Sequence, residues 1–272
     1  MPESTVHGVR GGKISARTAG RGPAVLLLHG VGTASPSYWA QFAALREDYE
    51  LIAWDAFGYG ASSEPPAEPR LDDYADAAAD LLTAHGRENA HVAGVSWGGV
   101  VATRLALRHP GRVRTLTLIS STYGRQHNAA VLERFGERVA ELDHEGVRNW
   151  ARARVDRLVS SAAPHYLKER IVETAVGSVR LSGFAAATRT LADTDHRPEL
   201  GEVRAPTLVL CGDQDLITGP PESRVLADGI PGAEYVVVPG GGHALNQEKP
   251  AEVNERLRQH WRGFDSREGE QA

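Results

Sequence analysis

Along the chain, short aliphatic runs alternate with longer stretches whose apolar residues recur at helical spacing. The runs cover residues 25–28, 51–54, 91–95, 115–119, 207–211 and 235–238. Each is nearly continuous in apolar residues and bounded by Gly, Pro or Asp, as strands covered on both faces are. Between them, 71–85 and 97–109 have the spacing of helices. The second sets Val100, Val101, Leu105 and Ala106 on one side and stops at His109-Pro110-Gly111. Upstream, 6–19 carries a Gly11-Gly12 turn between two short polar strands, which predicts an edge hairpin. Strands alternating with helices predict an α/β fold: a mostly parallel, twisted sheet with helices on both faces.

One segment breaks this alternation. From Gly124 to about His196 no strand pattern occurs, only helical spacing: Val131, Leu132, Phe135, Val139 and Leu142, then Val147, Trp150, Val155 and Leu158. Roughly 70 residues is too long for an ordinary crossover between two strands. The pattern predicts an inserted helical cap at 124–196, on a core built from 1–123 and 197–264. The polar tail, 265–272, is expected to be disordered.

The 272 residues, 41% of them hydrophobic, suit one large α/β domain or two small ones and can bury a sizeable core. A net charge of −5 gives no ground for a nucleic-acid partner. Cys211 is the only cysteine, so an intrachain disulfide and a thiolate zinc cluster are both excluded. The first 13 residues are polar and lack an apolar signal core. The longest aliphatic stretch, Ala24 to Leu28, is far too short to cross a bilayer. These features predict a soluble, cytoplasmic protein without a membrane partner.

The sharpest chemical signal is Gly94-Val95-Ser96-Trp97-Gly98, followed by Gly99, where a predicted strand gives way to a predicted helix. A serine held on such a turn has strained backbone angles, and its neighbours must lack side chains to let strand and helix pack. The turn also sets Ser96 at a helix N-terminus, whose free amides favour developing negative charge. A serine nucleophile needs a base, and the base an orienting acid. His243 follows the run 235–238 through Pro239-Gly240-Gly241-Gly242. Asp215 follows the run 207–211, with Asp213 in the same loop as its competitor. Ser96, Asp215 and His243 would thus all stand at the carboxyl ends of parallel strands, where open α/β sheets place their sites. An oxyanion hole requires two amides aimed at the substrate oxygen. The Trp97 amide is one candidate; Val31, in His29-Gly30-Val31-Gly32, is the other, with Gly32 as its alternative.

These stretches, with Asp55 to Ser62, Gly212 to Asp215 and Gly242-His243, resemble the α/β-hydrolase fold superfamily of serine hydrolases over nearly the whole chain. Within it the chain is most similar to small-capped enzymes of the 3-oxoadipate enol-lactonase kind. That likeness rests on Gly183 to Ala187 and on Leu191 to Pro198, leading into Ala205-Pro206-Thr207. Trp97 and Phe57 stand where many of those enzymes carry methionine and arginine. The resemblance implies hydrolysis of a small carboxylic ester or lactone through a Ser-His-Asp triad and an acyl-enzyme. Hydrolysis of a C–C bond or thioester, peracid formation and acyl cyclisation use the same groups. A non-catalytic ligand-binding sensor is the reading from another class. An aspartate-nucleophile reaction is not expected, since Ser96 holds that position.

No HExxH, no GxGxxG after a strand and no GxxxxGK[ST] occurs, so neither metal nor cofactor is expected. His29 reads as a histidine that satisfies loop backbone groups, and Asp55 as a turn-shaping carboxylate. Arg125, where the chain enters the cap, is the cap arginine best placed to clamp a substrate carboxylate. Trp39, Tyr123 and Trp150 are candidate pocket walls.

Overall fold

In the computed structural model, which describes residues 1–125 and 129–269, every aliphatic run forms a strand. The strands are β1 Ser4–Val9, β2 Gly12–Ala19, β3 Ala24–Leu28, β4 Glu50–Asp55, β5 Ala90–Val95, β6 Val113–Ile119, β7 Thr207–Gly212 and β8 Glu234–Val238. They form one eight-stranded sheet in the order β1-β2-β4-β3-β5-β6-β7-β8. The hairpin β1–β2 forms as expected but turns at Arg10-Gly11, one residue earlier, since Gly12 already pairs with Val9; β2 runs antiparallel to β4. All pairings from β4 to β8 are parallel.

Continuous apolar strands are explained by helices on both faces. Helices α1 Trp39–Leu45 and α9 Pro250–Gly269 cover one face, where Val25, Leu27, Leu51 and Ala53 meet Phe42, Leu45, Val253, Leu257 and Trp261. The alternate residues Leu26, Leu28, Ile52 and Trp54 point the other way. There they pack with α2 Leu71–Ala84 and α3 Trp97–Arg108, through Tyr74, Leu81, Val100, Val101 and Leu105. Helix α7 Gly219–Gly229 lies between β7 and β8, and the short α8 Leu245–Glu248 precedes α9.

Between β6 and β7 the described residues form α4 Ala129–Leu158, α5 His165–Ser178 and α6 Leu181–Asp193. Strand-like pairing there is limited to two isolated bridges, Tyr59 with Val179 and Gly124 with Asp195. The second bridge joins the two ends of the segment, and the His196 amide beside it donates to the Tyr123 carbonyl at 2.8 Å. Helix α4 is broken at Gly146, whose φ of 74° and ψ of 157° interrupt the helical bonding.

The tail departs from expectation. Helix α9 continues to Gly269, and the Asp265 carboxylate lies 3.2 Å from His91 Nε2 and 3.3 Å from the Arg114 guanidinium. Local polarity suggests fraying, but partners on β5 and β6 hold the helix in register. Residues 270–272 lie outside the described residues.

His91 carries a pH prediction. It is fully buried in β5, hydrogen-bonded to Thr115 Oγ1 at 2.9 Å and stacked on Trp261. Burial, then the charges of Arg114 and His260, push its pKa down to about 3 from an ordinary 6.5. The folded protein therefore keeps this ring neutral while the unfolded chain takes up a proton below about pH 6.5. Its contribution is intact above that pH and is lost as pH falls toward 3, at about 1.4 kcal/mol per unit. Melting followed from pH 7 to pH 5 should show Tm falling, and His91→Gln should flatten that fall. An unchanged slope in the variant would refute the assignment.

Candidate active site

The turn from β5 into α3 places Ser96 at φ 54° and ψ −121°, a left-handed backbone that serine rarely adopts. The surrounding glycines make it feasible. A Cβ on Gly94 would stand 2.2 Å from the Gly98 carbonyl oxygen, and one on Gly98 only 2.0 Å from that of Leu28. The Ser96 amide is fixed by donating to the Ile119 carbonyl at 2.9 Å, which ties the turn to the end of β6.

At the ends of β7 and β8, Asp215 and His243 meet. His243 Nδ1 lies 3.0 Å from Asp215 Oδ2 and 3.1 Å from Oδ1, with both side chains buried. Asp215 is preorganised by its own loop. Its Oδ1 accepts the amides of Ile217 and Thr218 at 2.8 and 3.1 Å, and the Thr218 hydroxyl lies 2.9 Å from Oδ2. Burial pushes this carboxyl's pKa up. The hydrogen bond and charge of His243, with the two loop amides, outweigh burial and hold it well below the ordinary carboxylate range. Asp213 is engaged elsewhere, accepting the Gly240 amide at 2.7 Å. Of the two aspartates, Asp215 meets the imidazole.

A chain of polar contacts joins this pair to Ser96. The Ser121 hydroxyl donates to the Ser96 carbonyl at 2.9 Å. The neighbouring Ser120 carbonyl lies 3.0 Å from the Thr218 hydroxyl, which is itself 3.4 Å from His243 Nδ1. Ser120 too has a positive φ, 46°, and its amide donates to Leu210 at 2.7 Å. The turns after β5, β6 and β7 thus hold one another. Sequence reasoning missed Thr218, although an Asp followed three residues later by Thr before a Gly-Pro helix start is an Asx-turn signal.

The loop after β3 lies beside the same turn: a Cβ on Gly30 would sit 3.2 Å from Ser96 Cβ. His29 Nδ1 is 2.8 Å from the Gly30 carbonyl, and Nε2 accepts the Ala56 amide at 3.0 Å. Donation through Nδ1 and acceptance at Nε2 fit a neutral ring, and burial lowers its pKa, against the Gly30 bond and Asp55. His29 thus serves the loop backbone, as expected, and Asp55 shapes its turn by accepting the Ser35 amide and the Ser15 hydroxyl, each at 2.8 Å. The Tyr59 hydroxyl donates to the Val31 carbonyl at 2.5 Å, which orients that peptide. Among the described residues, neither the Val31 nor the Trp97 amide donates to a loop or turn carbonyl.

Other predicted residues divide. Trp150, on α4, stands over Gly32, its ring 3.1 Å from where a Cβ would be, and packs edge-on against Phe184. The Trp97 indole is fully buried and donates to Thr190 Oγ1 on α6 at 3.0 Å, joining the Ser96 helix to the inserted segment. Arg125 is engaged with Glu222 on α7. The Tyr123 ring is covered by the Arg197 guanidinium at 5.0 Å. Trp39, stacked by Arg170 at 4.3 Å, lines a separate cleft of about 500 Å³ with Met1, Pro2 and Phe42. Phe57 is buried, edge-on to Tyr74.

A larger cleft of about 1000 Å³ lies between the Pro65–Arg70 stretch and α6, and neither Ser96 nor His243 lines it. Two of its cations are matched within it: Arg104 with Asp72 and Glu199, Arg189 with Asp193. Among the described residues, no group of three His, Cys, Asp or Glu side chains is gathered to hold a metal ion, and no helix is long and apolar enough to cross a membrane.

Known proteins are similar to this chain in sequence and in fold. The putative carbamate hydrolase RutD of Agrobacterium fabrum is 29% identical over 91% of this chain and 96% of its own. The 3-oxoadipate enol-lactonase 2 of Acinetobacter baylyi is 26% identical over 85% of this chain and 86% of its own. The solved structure of a malate-bound thermophilic esterase from Thermogutta terrifontis superposes with a TM-score of 0.89 at 26% identity, covering 96% of this chain and 99% of that one. The sequence model of the Alpha/beta hydrolase family matches residues 25–256, the greater part of the chain. A strand-to-helix serine turn, an Asp–His pair on neighbouring strand ends and this match together assign the fold: the chain belongs to the alpha/beta hydrolase family.

Proposed function

We propose that this hydrolase cleaves a small carboxylic ester or lactone with Ser96 as nucleophile, His243 as base and Asp215 as orienting acid. The observation that carries the reading is the left-handed Ser96 on the β5–α3 turn, joined through Ser121, Ser120 and Thr218 to the buried His243–Asp215 pair. The Asp215 carboxylate accepts the hydrogen bond of His243 Nδ1–H and stays ionised, fixing the tautomer whose Nε2 is free to accept the proton of Ser96 as Oγ adds to the carbonyl carbon. The developing oxyanion is held by the amides of Val31 and Trp97, each worth about 3–4 kcal/mol in comparable sites. Imidazolium then returns its proton to the leaving alkoxide. Water, deprotonated by the same imidazole, releases the acid from Ser96. Helices α4–α6 act as a cap, and Trp150 over Gly32 keeps bulk water from the oxyanion loop.

The names of the relatives, an enol-lactonase, an esterase and a carbamate hydrolase, support acyl chemistry and leave the acyl group open. Thioester or C–C bond hydrolysis and acyl cyclisation use the same machinery.

Fluorophosphonate labelling read by intact mass tests the proposal. One adduct on the wild type is expected, followed by turnover of at least one member of an ester, lactone, thioester and carbamate panel. A folded wild type that takes no adduct and turns over no panel member would overturn it. Ligand-dependent melting in that case would favour a sensor.

A further inference from the structure

Glu248 lies five residues beyond His243 and touches neither Ser96 nor the imidazole, yet its carboxylate gathers three donors. Oε2 accepts the Gly242 amide at 2.7 Å, Oε1 accepts the Ser160 amide at 3.0 Å, and the Ser160 hydroxyl donates to Oε1 as well. Ser160 follows the last turn of α4, on the inserted segment, 88 residues away in sequence. The other flank of His243 is held in the same place: the Ala244 amide donates to the Leu158 carbonyl at 2.6 Å. The contact is close, because a Cβ on Gly242 would lie 2.6 Å from the Val159 backbone. The chain on either side of His243 is therefore fastened to the end of α4, on one side through Glu248.

We infer that Glu248 is a positioning residue, fastening the His243 loop to the cap so that α4 sets where the imidazole stands. The inference rests on the hydrolase reading above. The loop Pro239-Gly240-Gly241-Gly242 has little stiffness of its own, since glycine leaves the backbone wide freedom. An imidazole displaced by an ångström loses much of its efficiency as a base. A carboxylate is suited to the task because its two oxygens can accept all three donors together. Glutamine at this site would offer one oxygen and would turn its own donors against an amide.

The test compares wild type with Glu248→Gln and Glu248→Ala. Three readouts are followed on folded protein, well below its melting temperature: steady-state ester kinetics, fluorophosphonate labelling rate, and the downfield proton resonance of His243 Nδ1–H. With Glu248→Ala, kcat and labelling rate should fall together by roughly tenfold or more, while KM stays within about twofold. The Nδ1–H resonance should broaden or shift. Glu248→Gln should be intermediate, and it keeps the question answerable if the alanine variant does not fold. Wild-type kcat, labelling and resonance in a folded Glu248→Gln protein would overturn the inference, as would a change confined to Tm. If the wild type itself neither labels nor turns over any ester, the hydrolase reading falls. The resonance then still reports whether Glu248 holds the His243–Asp215 pair, and an unperturbed signal overturns that as well.

Discussion

Replacing Ser96 with alanine should leave a folded protein whose ester hydrolysis is lower by about ten-thousand-fold or more. The loss is expected to appear in kcat, because the variant keeps the pocket and the oxyanion amides and lacks only the atom that adds to the carbonyl. Melting should hardly move. Alanine meets the same restraint at φ 54° that serine does, and the Ile119 bond to the backbone amide is untouched. Fluorophosphonate should add to the wild type once and to Ser96→Ala not at all. A folded variant that retains a tenth of wild-type turnover would show that another group carries the reaction.

The second large effect is on stability. Gly98→Ala should cost more than about 4 kcal/mol, because its methyl group would need the space of the Leu28 carbonyl, 2.0 Å away, with the His29 carbonyl at 2.7 Å. Both are backbone atoms of β3 and its loop, so nothing flexible can yield. For a chain of this size the cost corresponds to a fall in Tm of roughly 10 °C. Gly177→Ala is the matched control. It lies within α5 with nothing inside 4 Å of a new Cβ, and should gain about 0.5 kcal/mol from helix propensity. Thermal melts of the two variants decide the matter. Equal Tm values would mean that β3 and α3 are not packed as described.

Much of the fold was legible before any coordinate, because the features involved are local. Alternation of Leu26 and Leu28 with Val25 and Leu27 says that both faces of a strand are buried, and the structure assigns the two sets to different cores. Gly94, Gly98 and Gly99 around Ser96 announce a tight strand-to-helix turn, since few other purposes need three missing side chains there. The order of Ser96, Asp215 and His243 follows from strand ends, and parallel strands present all their ends on one side.

The choice between Asp213 and Asp215 was another kind of question. Both follow β7 within three residues, and only the packed loop shows one carboxylate on the Gly240 amide and the other on His243. Chain position suggests Arg125 and Trp39 as substrate contacts, whereas the partners the structure gives them, Glu222 and Arg170, lie far along the sequence.

Periodicity, turn chemistry and glycine placement thus mark the sheet, the inserted helices, and Ser96 and His243 among the residues proposed for the chemistry, because each is written within a few neighbouring positions. Tertiary structure decided what depends on groups remote in sequence: Asp265 against His91, Thr190 against the Trp97 indole, Ser160 against Glu248. Hydrogen bonds of that kind leave no mark in local pattern. A buried donor accepts whichever partner the fold delivers, and only the packed chain determines which one arrives.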